Sequence, residues 1–187
     1  MYRENLILFL LGPSGCGKTY FGEYLAHEHN WLHLQVDCLE ADGIDKLDLR
    51  KEGNQYFFDL EPKPLIKVLL NRANEAHKKH IVLSFAGNLI ACMTPDRIRT
   101  LSKQIALVIL IGEPLHCKTA FLRRESRRQQ PLNEHHWHQN NDGLFKQLRL
   151  PHLAPHIVKA FRSDGSFRPS IELYNEVINK IKVFGNN

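Results

Sequence analysis

Gly12-Pro13-Ser14-Gly15-Cys16-Gly17-Lys18-Thr19 decides the reading of this 187-residue chain. The stretch satisfies G-x-x-x-x-G-K-[ST]. It follows directly on the apolar run 5–11 and passes into a helical pattern over 20–28. Glycines at these positions let successive backbone N–H groups turn inward as a nest for phosphate oxygens, and a helix that starts there adds the positive end of its dipole. Lys18 is spaced to reach β- and γ-phosphates. Thr19 offers a hydroxyl to Mg²⁺, an ion that keeps most of its waters and takes one or two protein ligands. An accidental match at average composition occurs in fewer than roughly one chain in a hundred. The stretch therefore predicts a nucleotide site for ATP and Mg²⁺ built on Gly12, Pro13, Ser14, Gly15, Cys16, Gly17, Lys18, Thr19 and Tyr20, with Thr19 as the metal ligand.

Outward from this loop, four further apolar runs stand at 32–36, 81–85, 105–111 and 156–161. Runs without polar alternation suit strands covered on both faces, and the intervals between them accommodate crossover helices. Helix starts are signalled by Thr94-Pro95-Asp96, Glu113-Pro114 and Pro169, and Pro62 and Pro64 precede a helical pattern over 65–77. Residues 41–61 read as a short surface helix and loop. The expected fold is α/β, a three-layer α/β/α sandwich of the P-loop NTPase type with a five-stranded parallel sheet. One domain covers 1–187, with a small helical lid at about 123–145. Trp31 and Phe85 are expected in the core.

Composition narrows the partners. With 25 Lys+Arg against 20 Asp+Glu, the net charge is +5, and part of the excess is concentrated in Arg123, Arg124, Arg127 and Arg128. A dedicated nucleic-acid binder carries a longer basic stripe, so a small anionic ligand is expected and nucleic acid is not. No apolar run approaches the ~20 residues of a spanning helix, and Met1-Tyr2-Arg3-Glu4-Asn5 has no leader pattern. Cys16, Cys38, Cys92 and Cys117 form no C-x-x-C pair, which fits a reducing cytoplasm. His135-His136-Trp137-His138 lacks a completing acid or cysteine at ligand spacing and reads as a polar lid loop. Asn140-Asn141-Asp142-Gly143 reads as a turn.

Several of these segments together resemble shikimate kinases, small P-loop enzymes that move the γ-phosphoryl of ATP onto a hydroxyl of a sugar-acid-like metabolite. The resemblance runs through the loop, Gly22-x-x-Leu25-Ala26, Leu34-Gln35-Val36-Asp37, the segment 52–61, Val82 to Asn88, and Arg123 through Gln130-Pro131-Leu132. It implies that Asp37 contacts acceptor hydroxyls and acts as base, that Ala86, Gly87 and Asn88 stand where the family has three glycines, that Arg123 packs over adenine, and that Arg149 is a substrate arginine. It also implies departures. The acid linked to Mg²⁺ is Gln35 here, the first substrate-carboxylate arginine is Phe58, and the second lid arginine is Gln130, with Arg127 or Arg128 available to replace it. A charge-assisted hydrogen bond from arginine contributes roughly 1.5–3 kcal/mol, and phenylalanine supplies none, so the acceptor pocket is expected to be less cationic and more aromatic than one for shikimate.

The reading that follows is a kinase in which Lys18, Asp37 and Arg123 are catalytic and Asp37, Phe58, Ala86, Gly87, Asn88 and Arg149 bind a small hydroxylated acceptor. Arg123, Arg127 and Arg128 on one helix would close over the phosphates. A monomer or weak dimer is expected. Two alternatives stand beside this reading: a nucleoside or nucleotide kinase, favoured by the arginine-rich lid, and a nucleotide-binding regulatory module without turnover, favoured by Gln35 and Phe58.

Overall fold

Uninterrupted aliphatic runs become strands: β1 (Ile7–Leu11), β2 (Leu32–Gln35), β3 (Ile81–Ser84), β4 (Ala106–Ile111) and β5 (Ile157–Lys159). The structure is a computed structural model that describes residues 5–35, 63–84, 90 and 93–184, and elements are numbered among these. All strand pairings are parallel, in the order β2-β3-β1-β4-β5. Parallel neighbours need crossovers, which are supplied by α1 (Lys18–His29), α2 (Lys63–Glu75), α3 (Pro95–Ser102), α4 (Pro114–Glu125) and α5 (Glu134–Gln147), and α6 (Ser170–Phe184) closes the chain. A 3₁₀ segment, Pro151–His156, leads into β5.

Side chains alternate across the central strand and so define three layers. Ile7, Phe9 and Leu11 pack with Leu65, Leu69 and Ala73 of α2, Ile98 and Leu101 of α3, Leu144 of α5 and Leu148 just past its end. Leu8 and Leu10 face the other way, onto Phe21 and Leu25 of α1, Cys117 and Phe121 of α4, and Leu173 and Val177 of α6. Trp31 is buried among this second group, as expected. No helix among the described residues is long and apolar enough to cross a membrane.

This layering positions the site. β1 and β3 are adjacent, yet α1 leaves β1 toward one face of the sheet while α3 follows β3 on the other. Connections that diverge in this way open a crevice at the carboxyl ends of the two strands, where open parallel sheets bind ligands. Residues 12–19 lie at that point.

Three expectations are corrected from the end of α4 through α5. His135 to His138 and Asn140 to Gly143, read as lid loop and turn, both lie inside α5. The helix holds because Asn133 accepts the His136 N–H at 3.0 Å as N-cap, Glu134 supplies negative charge in the first turn, and Trp137, Asn141 and Leu144 form a buried face. Arg127 and Arg128 do not continue the helix of Arg123. α4 ends at Glu125, and these arginines lie in the turn that follows.

Candidate functional site

Gly12, Gly15 and Gly17 all have positive φ, at 148°, 88° and 86°. A Cβ at Gly15 would run into the Cys117 carbonyl oxygen and the Phe121 nitrogen of α4, and one at Gly17 would meet the Phe167 ring 2.9 Å away. The loop is thus threaded between α4 and the β5–α6 connection, where only glycine fits. At its end, α1 begins at an N-cap, Gly17, that has no side chain to offer, and no acidic residue stands in the first turn. α3 and α5, by contrast, satisfy their starts with Thr94 and Asp96, and with Asn133 and Glu134. The first N–H groups of α1 and its dipole are left for an external anion.

Lys18 Nζ donates to the carbonyls of Gly12 (2.9 Å) and Pro13 (3.0 Å), which folds the ammonium back over the loop it serves. The first half of the loop is braced from α5. The Ser14 N–H donates to Asn141 Oδ1 at 2.8 Å, and Trp137 Nε1 donates to the Ser14 carbonyl at 3.1 Å. The Ser14 amide therefore points at protein and is not among those turned inward for phosphate. Cys16 and Cys117 are both buried thiols, and burial with Cys16 nearby pushes Cys117 up, so it stays protonated. Tyr20, one residue past Thr19, is 63% exposed.

No family model matches the chain. A shikimate kinase of Clostridium botulinum (strain Eklund 17B / Type B) is 28% identical over 110 residues, which are 58% of this chain and 61% of that protein. The chain resembles shikimate kinases. The match spans about three fifths of that relative's length. Among solved structures, the shikimate kinase from Acinetobacter baumannii in complex with shikimate matches with a TM-score of 0.51 and 19% identity, over 96% of this chain and 95% of that one. Its likeness is one of fold, the same α/β arrangement around a parallel sheet.

The shikimate kinase-like assignments fall unevenly on the structure. Asp37, Phe58, Ala86, Gly87 and Asn88 lie outside the described residues, as do Val36, Phe85, Cys38, Cys92 and the segment 41–61. Gln35 is the last described residue before Asp37 and is in register with Ser84 of β3, which is itself in register with Leu10 of β1. The chain thus leaves the described region one strand removed from the start of the loop 12–19. Arg123 is exposed in the last turn of α4, where its carbonyl accepts the Ser126 hydroxyl at 2.9 Å. Arg149 is exposed just past α5. His152, three residues on, bonds the Met93 carbonyl at 2.9 Å through Nε2, which places this turn against the β3–α3 connection.

Three groups escaped sequence reasoning. Glu125, 1% exposed, bonds Arg124 through Oε1 (2.7 Å to a guanidinium nitrogen), lies 3.5 Å from Arg128, and accepts the Leu132 N–H through Oε2 at 3.2 Å. Arg124 and Arg128 are therefore engaged by a buried carboxylate that orders both ends of 126–132. Ser84, buried at the carboxyl end of β3, is 2.8 Å from His33 Nε2, and burial lowers His33 to about 4, so the imidazole is neutral at neutral pH. Phe167, 42% exposed, stacks on Phe161 at 4.3 Å and lies over Gly17. No local motif marks these groups; each depends on which elements the fold brings together.

The expectation that no acid stands at ligand spacing beside His135 to His138 is corrected by the structure, since His138 is engaged on both ring nitrogens, by Asp142 at 3.0 Å and Glu134 at 3.4 Å, each four residues away on the same helix. The Asp142 hydrogen bond raises its pKa. No group of three His, Cys, Asp or Glu able to hold a metal occurs among the described residues.

Proposed function

We propose that the protein is an ATP-dependent phosphotransferase that moves the γ-phosphoryl group onto a hydroxyl of a small metabolite, with an acceptor pocket altered from that of shikimate kinases. The observation that carries this reading is the uncapped start of α1 behind a loop of three positive-φ glycines, with the Lys18 ammonium held over it. The similarity to a shikimate kinase supports small-molecule phosphoryl transfer as the class.

In this mechanism the backbone N–H groups at the start of α1 and Lys18 bind and orient the phosphates, and the Lys18 ammonium exchanges two neutral carbonyl acceptors for anionic phosphate oxygens. Thr19 would hold Mg²⁺ through its hydroxyl, an oxygen donor of the kind this ion takes beside phosphates, and the ion would supply positive charge against the β- and γ-phosphates. Asp37 orients the acceptor hydroxyl and takes its proton. Arg123 reaches the nucleotide from α4, and the exposed Phe167 ring beside Gly17 offers a stacking face to a purine. Arg149 holds an anionic group of the acceptor. Most of the rate enhancement comes from positioning and electrostatics.

The test is phosphoryl transfer from Mg²⁺·ATP to a panel of shikimate, gluconate-like acids, sugars and nucleosides. Transfer to a non-nucleoside hydroxyl is expected. Transfer to nucleosides alone replaces this reading with a nucleoside kinase, and ATP binding with no acceptor replaces it with a regulatory module. A cytoplasmic enzyme, monomeric or weakly dimeric, accompanies the reading.

A further inference from the structure

We infer that Asn141 and Trp137 are positioning residues for the phosphate loop, and that through them α5 couples the 126–132 segment to the nucleotide site. This rests on the reading of residues 12–19 as that site. The two side chains stand one helical turn apart and grip opposite sides of the same residue: Asn141 Oδ1 takes the Ser14 N–H and Trp137 Nε1 gives to the Ser14 carbonyl. The Gly12 and Pro13 carbonyls are on Lys18. The entry of the loop is therefore held by protein contacts, and its exit, at the start of α1, is left to bind anion.

Packing alone does not account for these residue types. Asn141 is 1% exposed and Trp137 is 2% exposed. A leucine at 141 would fill helix and core without the cost of a buried amide, and a phenylalanine at 137 would keep the ring without the N–H. The Asn141 Nδ2 donates to the Trp137 carbonyl at 2.7 Å, which fixes the amide with its oxygen toward Ser14. The opposite end of the linkage is built with equal definition. Lys118 of α4 bonds Glu134 in the first turn of α5 at 2.6 Å, and Glu125 holds the Leu132 N–H immediately before the Asn133 cap. A continuous chain of contacts therefore joins 126–132 to the first turn of α5 and, through Trp137 and Asn141, to Ser14.

The test uses the full chain with Mg²⁺·ATP. Asn141→Leu and Trp137→Phe are each expected to retain the cooperative thermal transition and to weaken ATP binding about tenfold by calorimetry. A spectroscopic signature separates positioning from bulk stability. In a Trp31→Phe background Trp137 is the remaining tryptophan, and its emission should change on ATP binding and not in the Lys18→Ala variant. ATP affinity within twofold of the parent in either folded variant overturns the inference, as does ATP binding with unchanged Trp137 emission. If Asn141→Leu does not fold, Trp137→Phe and the emission titration decide. Failure of the parent protein to bind ATP at all removes the nucleotide reading and this inference together, whereas ATP binding that tolerates both substitutions removes only this inference.

Discussion

On the proposed reading, Lys18 meets its ligand already organised. Its ammonium rests on the Gly12 and Pro13 carbonyls, so binding a triphosphate swaps partners across a short distance rather than ordering a free side chain. The glycines act through what they allow near them. Gly15 admits the Cys117 carbonyl and the Phe121 nitrogen of α4 at φ 88°. Gly15→Ala combines a disfavoured backbone region with a clash against main chain that cannot rotate away. It is expected to cost more than about 2 kcal/mol and to abolish ATP binding, measured by thermal unfolding and calorimetry. The motif made Gly15 legible as a loop residue. That it also sets the distance between the loop and α4 was not legible, because Cys117 lies about a hundred positions away in sequence.

At the scale of elements, β2 and β3 are joined near the site by the contact of His33 with Ser84, and His33 also packs so closely on Gly22 of α1 that no Cβ fits there. Burial holds the His33 pKa at about 4, below the 6.5 of the free imidazole. Between those values the unfolded chain binds a proton that the folded chain refuses, so stability is present above about pH 6.5 and is lost as pH falls toward 4. Burial lowers His80 and His156 as well, with the same sign. From pH 7 to 5, His33 alone removes roughly 2 kcal/mol, equivalent to a melting temperature lower by about 4–8 °C. His33→Gln should flatten this slope in calorimetry run across that range, and an unchanged slope would assign it elsewhere.

The α5 helix carries a contrasting lesson. Asn140-Asn141-Asp142-Gly143 has the composition of a turn, and glycine in a helix interior costs about 1 kcal/mol relative to alanine. Here the local preference loses to burial of Trp137, Leu144 and Leu148, to the Asn133 cap, and to side-chain bonds from Asn140 to the His136 carbonyl and from Asn141 to the Trp137 carbonyl. A Cβ at Gly143 meets nothing within 4 Å. Gly143→Ala should therefore stabilise the protein by up to about 1 kcal/mol, raising the melting temperature by roughly 2–4 °C.

For the whole molecule, a ligand that binds only the folded state stabilises it by mass action. At a hundredfold excess over the dissociation constant the gain is about 2.7 kcal/mol, which for a domain of this size is roughly 5–10 °C. Mg²⁺·ATP is expected to produce a shift of this order in differential scanning fluorimetry, and Lys18→Ala to abolish it. A shift that persists in Lys18→Ala would place the nucleotide away from residues 12–19.

Local pattern alone determined the five strands, the helix after the glycine loop, the proline-marked starts of α3, α4 and α6, and the glycine loop itself. Each depends on neighbours in sequence: continuous apolar runs, restricted φ at proline, glycine at positive φ. The order β2-β3-β1-β4-β5, the placement of α1 and α3 on opposite faces of the sheet, and the partners Asn141, Trp137, Glu125 and Phe167 were decided only by tertiary structure. Those features arise from contacts between residues far apart along the chain. Their energies come from burial and pairing across elements, and no local spacing encodes which distant element will supply the partner.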